Sequence, residues 1–425
     1  MTLLDDHFLS DANPIATADQ RDLEELALRM TRTPEVQRAR RLADLRWRMM
    51  VGPDVPEEAW DTYYEVLEEW VFNYCLKAAN SDPNHPRVLS NIYAPPHEWF
   101  GMSLPGNRGF GGDNPDAIYA IVPVDSRARY EISGRRLDPP VCDVPFQTCS
   151  NPSLSATIDM VLWQDMEFAE DGSFVLTMGP EAGGPNHLRT GVDARYLLIR
   201  DMRADWTATP NAYRVRRLDP PTAPPLSFED LVERAARFIL DDVATVYLWL
   251  AMVARLEVNQ VTQAFNTGSV GGMFTQWFAM GRLDLADDEA YLLTLGMGGA
   301  GYRGLVLMDF WQHSMQHGHR TSSLSHAQSE PDPDGTTTFV ISRSDPGVHN
   351  WLDTVGLRQP RIMARWQVLP DGPERETPPM VSGRLVKLAE LDGLLPVGTR
   401  RVTPEQRAAQ LTERAAQFER RYADR

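Results

Sequence analysis

Apolar residues recur at three- and four-residue spacing from about Asp22 to Ala79, in LEELALRM, VQRARRLADLRWRMM and EEAWDTYYEVLEEWVFNYCLKAA, and this period predicts helices. After Ser81 the pattern shortens. ARYEISGR, SLSATIDMVLW, SFVLTMG, ARYLLIRDM and AYRVRRL alternate apolar with polar residues between Gly, Pro, Asp and Asn, as strands do. Asp171-Gly172 and Asp334-Gly335 read as hairpin turns. PPTAPP (220–225) is a stiff, extended spacer. Ser227 then caps a further helical run that includes the apolar stretch Val243 to Ala254, expected to be a buried helix. Helical texture continues to about Phe265 and returns around Leu283–Leu293. Alternation resumes in GLVLMDFWQ, TTTFVISR and RIMARWQVL, and Thr403-Pro404-Glu405 opens a last helix.

These patterns predict an α+β, mainly β chain: two β-sandwich or jelly-roll-like domains with N-terminal helices, a helical insertion and a C-terminal helix. The expected divisions are 1–80 (helical), 81–225 (first sandwich), 226–296 (helical insertion), 297–400 (second β domain) and 401–425 (helix). Residues 1–20 read as a mobile lead, and no internal repeat is visible.

Composition narrows the function. A net charge of −17 argues against nucleic acid, whose phosphates need clustered cations. The apolar run 243–254 is too short for a bilayer span of about 20 residues, and the first residues lack a basic, apolar leader, so no membrane partner is expected. Three cysteines, Cys75, Cys142 and Cys149, suit a reducing, cytoplasmic setting. The acidic, tryptophan-containing N-terminal helices serve either a homodimer contact or core packing.

Candidate chemistry concentrates between Asp309 and Trp366, which holds five of the nine histidines. His313, His317 and His319 are spaced HxxxHxH. On a strand all three would share one face and offer imidazoles to a divalent transition metal; the alternative is ordinary hydrogen bonding, with no cofactor. In SDPGVHNWLDTVG (344–356) the Asp345-Pro346-Gly347 turn re-aims the chain. His349 with Asp345 or Asp353 then makes an oriented acid–base pair, or the carboxylates cap backbone N–H groups and Trp351 plugs the core. Asp113, Asn114, Asp116 and Tyr119 form a polar cluster at a strand entrance, for ligand or for turn capping. Arg200, a charge within an apolar strand, is either paired with an acid or aimed at an anionic ligand. GxSxG and Walker motifs do not occur, and GMGGAG (296–301) runs from helix to strand, the reverse of a dinucleotide site.

GGDNPDAIY (111–119), ARYLLIRDMRADW (194–206), HRTSSLSHAQ (319–328), DPGVHNWLDTVG (345–356) and LLPVGTRRVTPEQRAAQ (394–410) together resemble the bacterial domain of unknown function family 1214, often found with the related family 1254. The resemblance implies β-sandwich or jelly-roll domains with accompanying helices and supplies no settled reaction. Relatives tend to show Asn-Arg where this chain has His319-Arg320, which makes the three-histidine set this chain's own.

The expected function is acid–base catalysis of hydrolase or lyase/isomerase type on a small, partly hydrophobic substrate, in a cleft of the second β domain. His349 is the expected acid or base, with Asp353 or Asp345 orienting it and Arg320 stabilising developing charge. Trp311, Trp351, Asn350 and Gln328, with Asp113, Asn114, Asp116, Tyr119 and Arg200, are the expected substrate contacts. The alternatives are a non-catalytic carbohydrate- or lipid-binding protein and a metal-dependent hydrolase or hydratase on the three histidines.

Overall fold

The computed structural model describes residues 7–52, 55–109, 112–136, 142–150, 157–270 and 272–423. Residues 1–6 of the expected lead, Phe110 and Gly111 of the glycine-rich run, and 153–156 at the head of one expected strand lie outside the described residues. The chain is an α+β protein.

Helices α1 (Ala18–Thr31), α2 (Pro34–Val51) and α3 (Ala59–Ala79) come first. Thr17 caps α1 by accepting the Gln20 N–H, and Pro34 fits the first turn of α2 because an N–H there has no helical partner. Their apolar faces bury Trp47, Tyr63, Trp70 and Phe72 in one core, so these tryptophans pack inward.

Strands β1 (Leu89–Asn91), the hairpin β2 (His97–Trp99) and β3 (Met102–Leu104), β4 (Ala117–Pro123), β5 (Tyr130–Arg135), β6 (Phe146–Cys149), β7 (Thr157–Val161), β8 (Ser173–Gly179), β9 (His187–Arg189), β10 (Tyr196–Met202) and β11 (Ala212–Arg217) follow. All but the hairpin build two sheets, ordered β1-β4-β10-β6-β7 and β11-β5-β8-β9. Their facing sides interdigitate around Val122, Ile132, Phe146, Phe174, Leu176 and Leu197. This is a β-sandwich.

Helices α4 (Phe228–Asp241) and α5 (Val243–Ala254) come next. The expected Ser227 cap is present as a reciprocal capping box with Asp230. α5 buries Val243, Val246, Leu250 and Val253 and leaves Leu248 exposed, so only one side of the expected buried helix is covered.

The helical insertion ends here, earlier than the sequence pattern suggested. Strands β12 (Gln260–Val261), β13 (Phe265–Asn266), β14 (Trp277–Arg282) and β15 (Glu289–Leu295) follow, then β16 (Tyr302–Met308), β17 (Ser323–Ser325), β18 (Thr337–Ser342), β19 (Trp351–Asp353), β20 (Arg361–Gln367) and β21 (Val381–Lys387). Both β14 and β15 are covered on two faces, so their apolar runs carry no alternation and read like a helix. The sheets are β12-β14-β20-β16-β17, with β13 also on β14, and β19-β18-β15-β21. They enclose Leu293, Leu305, Phe339, Ile362 and Trp366 as a second sandwich. Helix α6 (Pro404–Glu419) closes the chain behind a Thr403–Gln406 capping box.

The two sandwiches have the same plan. β4-β10-β6-β7 corresponds strand for strand to β14-β20-β16-β17, and β11-β5-β8-β9 to β21-β15-β18-β19. Even the parallel pair β8·β9 recurs as β18·β19. The fold therefore contains a structural repeat that the sequence does not display. Each Asp-Gly turn precedes the equivalent strand, β8 or β18. Neither closes a hairpin, because the preceding strand β7 or β17 belongs to the other sheet.

The larger sheet of each sandwich turns its second face toward the helices. Period-two alternation puts Tyr119, Ile121, Leu198 and Met202 in the helical core, while Met280, Val306 and Met363 pack on Val253 of α5. A polar seam lies where these two faces approach each other.

Candidate functional site

The Asp-Pro-Gly corner is held by cations from elsewhere in the chain. Asp345 accepts the Gly347 N–H at 2.8 Å and Arg407 Nε of α6 at 2.9 Å, and Gly347 takes φ +70°, which its missing Cβ permits. Arg407 also lies 5.1 Å over the Trp351 ring, whose indole N–H donates to the Ser342 carbonyl. Asp353 accepts the Val355 N–H at 2.8 Å and Arg320 Nη1 at 3.4 Å. Asn350 braces the backbone of Glu330, and Gln328 accepts the Ser325 N–H and Arg414.

His349 stands apart from both carboxylates. It lines a pocket of about 90 Å³ with Glu330 and Arg400. Burial first, then the Arg400 charge, push its pKa below the ordinary value. The expected His349–Asp353 and His349–Asp345 pairs do not form, because guanidinium groups occupy both carboxylates. Trp311 is likewise no pocket wall: it is fully buried against Trp47, Trp60 and Tyr63, and donates to the Ala59 carbonyl at 2.7 Å.

The three histidines do not share a strand face. Gln312 (φ +57°) and Gln316 (φ +31°) take left-handed conformations that break any extended path between them. His313 Nε2 lies 3.2 Å from Glu69 Oε2, and His317 Nδ1 lies 2.9 Å from Ser314 Oγ. His319 faces solvent, 4.0 Å from Glu419. Burial, ahead of nearby arginines, holds His317 well below the usual imidazole range. Among the described residues no group of three or more His, Cys, Asp and Glu side chains is placed to hold a metal ion.

Asp113, Asn114 and Asp116 tie the sandwiches together. Asp113 accepts the Ser314 N–H at 3.1 Å and the Ser314 hydroxyl. Asp116 accepts Trp206 Nε1 at 2.9 Å and the Tyr302 hydroxyl at 2.8 Å, and Asn114 Nδ2 donates to the same hydroxyl. Burial raises both carboxyls. These bonds clamp the two sandwiches together across the seam.

Tyr119 and Arg200 lead elsewhere. They line a cavity of about 180 Å³ bounded by the facing large sheets, α3, α5 and the residues Thr267, Gly272, Met273 and Gln276. On one wall, Arg200 of β10 sits 5.3 Å over the ring of Tyr119, its cross-strand neighbour on β4. On the other, Arg365 of β20 sits 5.2 Å over Phe278, its neighbour on β14. These are equivalent positions: each arginine is the fifth residue of its seven-residue strand, and β10 corresponds to β20. The structural repeat therefore presents one arginine–aromatic pair from each sandwich to a common space.

Neither arginine has a carboxylate partner within 4 Å among the described residues. Arg200 Nε donates to Gln147 Oε1 at 2.9 Å, and Arg365 Nη2 donates to the Gly112 carbonyl and, at 3.2 Å, to that of Asp113. Both charges act on the buried hydroxyl of Tyr93, which marks their convergence, although burial keeps that phenol well above its usual range. Gly112 has φ +92°, and a Cβ there would lie 2.7 Å from Met363, so glycine lets the loop approach Arg365.

Two further ionisable groups line this cavity. Asp242, at the α4–α5 junction, is lifted to about 6 by burial, against a hydrogen bond from Thr245. Burial lowers the Lys77 amine of α3 to about 8. Sequence reading passed over Lys77, Tyr93, Asp242 and Arg365. Arg365 carried the same signal as Arg200, a charge inside an apolar strand.

No family model matches the chain, and no curated protein matches it. Among solved structures it is similar to an uncharacterized protein from Burkholderia cenocepacia, with 24% identity, a TM-score of 0.66, and coverage of 87% of this chain and 97% of that one. This likeness shows the fold. The VPA0106 protein from Vibrio parahaemolyticus matches at 12% identity and a TM-score of 0.41, over 65% of this chain and 90% of that one. Among the described residues, no helix is long and apolar enough to cross a membrane.

Proposed function

We propose that the chain binds a small organic acid in the cavity between the sandwiches and acts on it by acid–base chemistry. The observation that carries this reading is the pair Arg200 and Arg365, converging from equivalent strands, neither with a carboxylate within 4 Å among the described residues. Arg365 is buried and Arg200 half-buried, and a ligand carboxylate would pair with them through charge-assisted, bidentate hydrogen bonds. Tyr119, Phe278 and Trp249 supply flat walls for an apolar or aromatic body, and Gln147 and Gln276 add polar edges. Asp242, with a pKa near 6, is the acid–base group of this reading, in place of His349.

Calorimetry with a panel of carboxylates and their primary amides tests the anion site. The acids are expected to bind at least about tenfold more tightly than the amides, and Arg200→Met or Arg365→Met to weaken the acids by about 10- to 100-fold. Equal binding of acid and amide would sink the reading. His349→Ala is expected to leave binding unchanged. Proton transfer is tested by NMR detection of solvent deuterium entering the bound acid. Because only ionised Asp242 accepts a proton, exchange is expected to rise as pH increases through about 6 and to vanish in Asp242→Asn.

A further inference from the structure

Forty of the chain's 42 basic residues are arginine, and the two lysines occupy opposite environments. Lys387 is exposed and ion-paired with Asp288 and Glu289. Lys77 lines the cavity between the sandwiches. Its amine lies 4.8 Å over the Tyr74 ring and forms no ion pair among the described residues. A cation in the last turn of α3 favours the helix dipole, but arginine would serve there equally well. What lysine has and arginine lacks is a nitrogen that can lose its proton near neutral pH and attack a carbonyl.

We propose that Lys77 forms a Schiff base with the carbonyl group of an oxo acid whose carboxylate is held by Arg200 and Arg365; this rests on the anion-site reading above. The neutral Nζ adds to the carbonyl carbon, forming the C–N bond. The carbonyl oxygen takes up two protons, one from the nitrogen and one from solvent, and leaves as water, giving an iminium ion with no change in oxidation state. That cation then draws electrons from the adjacent carbon, where Asp242 or solvent can remove a proton. Burial favours the uncharged amine and leaves a substantial free-base fraction at pH 8. Lys77 comes from α3 while Arg200 and Arg365 come from strands of the two sandwiches, so the amine and the carboxylate site stand on different walls of the cavity. The substrate class that fits has ketone and carboxylate separated by intervening carbons.

Reductive trapping tests this on the full chain. The probe is levulinate, whose ketone and carboxylate are separated by two methylenes, supplied with cyanoborohydride at pH 8 and read by intact-mass and peptide-mapping mass spectrometry. One reduced adduct is expected on Lys77, formed at least about tenfold faster than on Lys387 or the N-terminal amine. It should be absent in Lys77→Arg, and about tenfold slower with levulinate methyl ester or in Arg365→Met. Labelling of Lys77 no faster than Lys387 overturns the proposal. Calorimetry without reductant separates the two failures: carboxylates that still bind leave the anion site standing, whereas loss of all carboxylate binding removes both.

Discussion

Arg108→Met is expected to destabilise the fold by about 3–5 kcal/mol, the usual cost of removing one partner from a buried ion pair. Arg108 is 2% exposed and grips Glu69, which is fully buried on α3, through Nε at 3.2 Å and Nη2 at 2.5 Å. Its Nη1 donates to the Ser314 carbonyl at 3.0 Å, so one guanidinium joins the helical layer to the loop after β16. Burial pushes the Glu69 carboxyl up, but the Arg108 and His313 charges overcome this and hold it below the ordinary range. Without the guanidinium the buried carboxylate keeps only the backbone N–H of residue 108 and the His313 imidazole. Urea unfolding measures the loss, and Glu69→Gln in the Arg108→Met background should restore part of it. A change below about 1 kcal/mol would mean the pair carries little stability.

Glu24→Gln should instead stabilise the protein, and only at higher pH. Glu24 of α1 is 1% exposed; Gln20 Nε2 donates to its Oε1 at 2.8 Å, and Oε2 is buried with no hydrogen-bond partner among the described residues. Burial lifts its pKa from 4.5 to about 8. Between those values the folded chain keeps a proton that the unfolded chain has released. Stability is therefore fully present below about 4.5 and falls as pH rises to about 8, at up to about 1.4 kcal/mol per unit. The glutamine variant has no proton to lose. Its urea midpoint should match the parent near pH 4 and exceed it at pH 8 by an amount equivalent to a few kcal/mol. Parallel pH profiles for the two proteins would show that Glu24 ionises normally.

Local signals in the sequence read well where one chemical event decides the structure. Ser227 and Thr403 cap the helices they were expected to cap, and alternation located most strands of the first sandwich. β14 and β15 were lost because strands covered on both faces have no polar phase. The repeat was invisible because sandwich strands need only apolar residues at alternate positions: YLLIRDM and RIMARWQ share a single residue in register, the arginine. The crowd of titratable residues between Asp309 and Trp366 drew attention because it was dense. Its members mostly satisfy one another or the arginines of α6, while the cavity collects Lys77, Arg200, Asp242 and Arg365 from segments far apart in the chain.

The matched arginine walls have a geometric consequence for whatever lies between them. Two like walls facing each other would accept a ligand equally well in either direction. Here the mirror is imperfect: one arginine rests on Tyr119 and donates to Gln147, and its counterpart rests on Phe278 and donates to the Gly112 and Asp113 carbonyls. Those differences give the chamber a head and a tail, so on the proposed reading a lopsided acid is expected to sit one way and a symmetric diacid to have two orientations of unequal affinity.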